Sequence, residues 1–108
     1  MSRHDSDRVK HILEAAHKAM GLTVGLERSA LETDEVLSLA LVRLLEIVGE
    51  AAASVPAEVK ARFPDVPWQK MVGLRNRLIH GYFDINLDIV WETIRSDLPF
   101  VVSRLEKT

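Results

Sequence analysis

Between Val36 and Val48 almost every residue is apolar, and this run constrains the fold more than any other stretch of the chain. Thr33 before it is a natural N-cap, and Asp34 and Glu35 place negative charge in a first turn, where the positive end of a helix favours it. The helix so started runs to about Ala53. Past its first turn the charged residues are Arg43, Glu46 and Glu50, three and four apart, which make one narrow stripe. A helix apolar nearly all round must be covered on more than one side. In a chain of 108 residues, enough for one domain spanning 1–108, the cover is either the chain's own later helices or a second copy. A two-fold homodimer is the expectation taken here, with Leu41 or Leu45 as partner-facing positions.

The remaining pattern is helical as well. Val9, Ile12, Leu13, Ala16, Ala19 and Met20 recur at helical spacing, with Asp5 or Ser6 as N-cap and Gly21 as stop. A connection from Leu22 to Glu32 leads to the apolar helix. After it, Ser54-Val55-Pro56 with Glu58 predicts a short helix to about Arg62, and the two prolines of 63–67 make a stiff loop. The next helix starts near Pro67 or Trp68 and turns Trp68, Met71, Val72, Leu74, Leu78 and Ile79 inward. Gln69, Lys70, Asn76 and Arg77 form its outer set, and Gly81 ends it. Asn86 caps a last helix through Leu105, kinked at Pro99. No strand pattern appears. The fold class expected is all-α, a bundle of four to five helices.

Composition narrows the function. A formal net charge of −2 argues against a nonspecific nucleic-acid coat, so any RNA contact must be local. The absence of cysteine excludes disulfides and thiolate metal sites. The N-terminal residues carry mixed charge and do not form a secretory signal, and the apolar runs are too short for a membrane span, so a cytoplasmic protein is expected.

Residues 75–83, R-N-R-L-I-H-G-Y-F, gather two arginines, an asparagine, a histidine and a tyrosine. His80 can move protons near neutrality, and the planar cation of Arg75 suits phosphate oxygens. The set fits phosphodiester chemistry without a metal. The plainer alternative is that Arg75, Arg77 and His80 are cations opposing the negative end of a helix. On an ideal helix, positions five apart differ by about 140°, so Arg75 and His80 would share a cleft only across a dimer axis. His11 reads as a bundle histidine, His4 and His17 as exposed, Trp68 and Trp91 as core or interface anchors, and Glu50 as a surface ion-pair partner or a contact to Arg75.

In order and spacing, Asp5 to His11-Ile12-Leu13, Gly49-Glu50-Ala51, Pro67-Trp68, Arg75-Asn76 with Leu78-Ile79-His80 and Tyr82-Phe83, Ile85, Trp91 and Asp97-Leu98-Pro99 resemble the HepT (DUF86-like) branch of the HEPN superfamily. The resemblance spans almost the whole chain. It implies a homodimeric helical bundle in which Arg75 and His80 form a metal-independent endoribonuclease centre, with Asn76 and Arg77 orienting or binding RNA and no cofactor. It further implies a toxin of a type VII-like toxin–antitoxin pair. The partner is then a minimal nucleotidyltransferase antitoxin of the MntA type, which transfers AMP to Tyr82. A noncatalytic nucleotide-binding subunit that positions such a nucleotidyltransferase is the alternative the same residues leave open.

Overall fold

The computed structural model describes residues 3–80 and 84–107, and of residues 3–6 and His80 it describes the backbone. Helix α1 (Arg3–Leu22) lies along α3 (Glu35–Ala53), which runs through the middle of the bundle, with the single turn α2 (Ala30–Thr33) between them. A second single turn, α4 (Ala57–Lys60), leads to α5 (Trp68–Val72) and α6 (Leu74–Leu78). Two-residue strands β1 (Ile79–His80) and β2 (Asp84–Ile85) follow. The chain then runs as one helical body through α7 (Leu87–Glu92), a π-helical turn at Thr93–Asp97 and α8 (Leu98–Leu105). The architecture is the expected all-α bundle. The expectation of no strands is corrected by the small β1–β2 pair.

Local chemistry accounts for several of the helix ends, though not always at the residues foreseen. Asp34, one residue after Thr33, is the N-cap of α3, its carboxylate accepting from Leu37 N–H at 3.0 Å. Asn86 caps α7 as expected, accepting from Ile89 N–H. Helix α1 already includes Asp5 and Ser6, so neither caps it. It also runs one residue past Gly21, because the Thr23 hydroxyl reaches back to the Ala19 and Met20 carbonyls before Gly25 turns the chain with φ of 76°. The kink expected at Pro99 is a π turn instead. Pro99 has no N–H and its ring would press on the carbonyl four residues back. Widening one turn, with Leu98 N–H donating to Thr93 O, admits it without ending the helix.

The core takes Ile12, Ala16 and Ala19 from α1 and Leu41, Leu45 and Val48 from α3, with Leu74, Leu78, Val90, Ile94, Leu98 and Leu105 closing it, all under 2% exposed. This corrects the choice of Leu41 and Leu45 as partner-facing, since both are buried inside the chain's own bundle. The outward face of α3 carries Val36 (79% exposed), Leu39 (52%) and Ala40, then Arg43 and Glu50. Val72, assigned to the core, is exposed. Trp68 and Trp91 pack against the core, and Arg95 stacks on Trp91 while donating to the carbonyls of Thr23 and Leu26 at 2.8 and 2.7 Å.

One close approach positions the rest. Gly49 of α3 lies so near α5 that a Cβ there would stand 2.9 Å from the Met71 carbonyl oxygen. Only glycine lets the two backbones meet at this distance. That contact sets where α5, and α6 beyond it, sits on the bundle.

Candidate active site

Helix α6 is five residues long and would not persist alone. Leu74 and Leu78, four apart on one face, are fully buried, each contributing about 1.5 to 3 kcal/mol of apolar burial. The intervening residues Arg75 and Asn76 are thereby turned out to solvent. Gly73 separates α6 from α5, its N–H bonded to Gln69 O at 3.0 Å. The expected single helix to Gly81 is therefore broken twice, at Gly73 and after Leu78. Gly81 lies outside the described residues.

At Ile79 the backbone becomes extended, with φ −116° and ψ 124°. Ile79 then pairs with Ile85 and His80 with Asp84 in an antiparallel ladder, and Asn86 N–H closes the unit on Leu78 O at 2.7 Å. The isoleucines, one on each strand, pack against the core and hold the pair down. His80 is thus a strand residue beside Asp84. The angular argument that separated Arg75 from His80 assumed an unbroken helix, so it no longer applies. Tyr82 lies outside the described residues.

The Arg75 side chain is 75% exposed and its Nε stands 3.8 Å from Glu46 Oε2, too long for a hydrogen bond. An exposed pair at that distance restrains the arginine weakly and leaves its fork of donors open to another anion. Glu46 itself is 20% exposed, held on α3 beneath α6. Sequence reasoning considered Glu50 for this contact. Glu50 instead pairs with Arg43 at 3.6 Å, the surface ion pair that was the other option. No local signal marks Glu46, because its meeting with Arg75 depends on how α3 and α6 pack. Arg77, placed in the outer set, is partly buried, and its Nη1 is shielded from solvent with no hydrogen-bond partner among the described residues. A guanidinium nitrogen so placed gains by meeting an anion. His11 is exposed on α1, not enclosed by the bundle, whereas His17 is exposed as expected and bonds Glu106 at 2.6 Å.

The arrangement can offer Arg75 to a phosphate and present Asn76 beside it, with the backbone of His80 in the strand two residues beyond the end of the same helix. Among the described residues, no three His, Cys, Asp or Glu side chains converge to hold a metal ion. No helix among them is long and apolar enough to cross a membrane.

The family profile described as Ribonuclease HepT-like matches residues 12–108. A protein of Thermococcus cleftensis named "Probable ribonuclease HepT" is 32% identical over 99% of this chain and 97% of its own length. Two others, provisionally named RNases, come from Caldanaerobacter subterraneus, 38% identical over 84% of this chain and 81% of its own, and Methanocaldococcus jannaschii, 36% identical over 88% and 87%. No solved structure matches the chain. With a profile match over nearly all its length and relatives aligned almost end to end, the chain belongs to the HepT-like ribonuclease family.

Proposed function

We propose that the chain is a metal-independent endoribonuclease toxin of a type VII-like pair, cutting RNA with Arg75 and His80 in a cleft completed by a second copy. The observation that carries this reading is the exposed, weakly held Arg75, presented by a helix that is buried on its other face and followed at once by His80. Membership of the ribonuclease family supports the same chemistry.

RNA brings its own nucleophile. The 2′ oxygen attacks the adjacent phosphorus, the new O–P bond forms as the bond to the 5′ oxygen breaks, and a 2′,3′-cyclic phosphate remains. One proton leaves the 2′ hydroxyl and one arrives on the 5′ oxygen, and His80 takes one of these transfers. Arg75 offsets charge on the phosphate oxygens in the transition state. Asn76 orients the phosphate, and Arg77 holds the neighbouring backbone. The second copy covers the apolar end of α3 and adds its own arginines, concentrating cations that a net charge of −2 otherwise denies the surface. Transfer of AMP from ATP to the Tyr82 hydroxyl by a nucleotidyltransferase partner, with release of pyrophosphate, sets an anion against these cations and excludes RNA.

The deciding experiment expresses the wild type beside His80→Ala. Wild-type protein cuts RNA in EDTA and leaves cyclic-phosphate ends, whereas the variant loses about 10²-fold or more. Undiminished cleavage by His80→Ala sinks the mechanism. With the partner and ATP present, mass spectrometry should find the adenylyl group on Tyr82, and Tyr82→Phe should cut RNA and escape silencing. Modification at another residue refutes the switch alone.

A further inference from the structure

One cleft stands apart from the Arg75 centre and is not used by the chemistry above. Between the first half of α1 and the end of α3, a pocket of about 280 Å³ is lined by Arg8, His11, Ile47, Glu50, Ala51 and Ser54. Arg8 is half-buried, and its Nε is shielded from solvent with no hydrogen-bond partner among the described residues. An unmatched guanidinium nitrogen is costly unless an anion or water meets it. His11, exposed on the next turn of α1, adds a second group able to donate. The one carboxylate of the lining, Glu50, is drawn to Arg43 at 3.6 Å, which offsets its repulsion of an incoming anion.

The pocket's place on α3 relates it to the active centre. Glu46, beside Arg75, and Glu50, in the pocket wall, are one turn apart, about 6 Å along the helix axis. A polyanion that runs from Arg75 toward the C-terminal end of α3 therefore meets the Arg8 cation about one turn beyond Glu46.

We propose that the Arg8–His11 pocket is a second phosphate subsite, which binds the backbone of the same RNA strand next to the nucleotide being cut. The inference rests on the ribonuclease reading, since it takes RNA as the strand that joins the two places. It accounts for how an acidic protein could gain affinity for RNA without a broad basic face.

The test measures binding of a single-stranded RNA carrying 2′-O-methyl groups, which prevent attack, by fluorescence anisotropy across a salt series, with cleavage of the unmodified RNA followed in parallel. Arg8→Gln should weaken binding about tenfold, as for loss of one charged contact. It should also flatten the plot of log affinity against log salt by about 0.7, the share of one single-strand phosphate. Ser54→Asp, at an exposed position in the same wall, should weaken binding without disturbing the core. Arg62→Gln, which removes the same charge from an exposed site outside the pocket, should leave the slope at its wild-type value. Equal effects of Arg8→Gln and Arg62→Gln, or an unchanged slope in Arg8→Gln, overturn the subsite while wild-type cleavage leaves the ribonuclease reading standing. A wild type that neither binds nor cuts RNA overturns both, and that result appears before any variant is made.

Discussion

Removing the Arg75 side chain costs the fold little, because three quarters of it is exposed and its ion pair to Glu46, at 3.8 Å, is of a kind worth under about 1 kcal/mol. Arg75→Ala should therefore keep the wild-type unfolding midpoint in urea while RNA cleavage falls about 10²-fold or more, as when one transition-state charge contact is lost. A variant that unfolds early would instead make Arg75 a structural residue. Glu46 offers the complementary measurement. Its carboxylate competes with phosphate for Arg75, so Glu46→Gln should tighten RNA binding at low salt with little change in stability. Weaker binding would mean that Glu46 aims the arginine and does not compete for it. The residue composition of the 75–83 segment, taken with the family resemblance, offered Arg75 and His80 as candidates. It did not mark Glu46, whose identity as a partner rests on packing between elements far apart in the chain.

Among elements, the contact of α3 with α5 carries the most weight for the site. Replacing a helical glycine by alanine ordinarily stabilises by about 1 kcal/mol. At Gly49 the sign should reverse, because the new methyl would stand 2.9 Å from the Met71 carbonyl, and backbone is slow to give way. Gly49→Ala should destabilise by about 1 to 3 kcal/mol in urea unfolding. It should also reduce cleavage, since α5 displaced from α3 moves α6 and Arg75 with it. A Gly49→Ala protein more stable than wild type would show that α5 shifts freely. The elements were mostly legible beforehand: α1, α3 and the final helical body follow from apolar spacing, and Asn86 from its place before an apolar run. The break at Gly73 and the β1–β2 pair were not. Leu74, Leu78 and Ile79 fit a helix and a strand equally well over so few residues, and burial of Ile79 against Ile85 and the core decided between them.

For the whole molecule, the consequential surface is the outward face of α3, where Val36 and Leu39 stand exposed in one copy of the chain. If a second copy covers them, Val36→Lys or Leu39→Lys should give a folded monomer by light scattering and lose RNA cleavage together with the dimer. Leu41→Lys should unfold the protein, because Leu41 is fully buried in the bundle. A wild type that stays monomeric at micromolar concentration would refute the shared cleft. The sequence by itself determined the helical class, the residue that caps α7 and those that line α1, because each is written in spacings of three to five residues along one chain, and it offered the segment proposed to carry the chemistry. Only the tertiary structure decided which side of an almost wholly apolar α3 faces inward, where the helix before His80 stops, and that Glu46 meets Arg75. Those outcomes depend on which distant backbones can approach one another, as α3 and α5 do at Gly49, and no local pattern of residues encodes that distance.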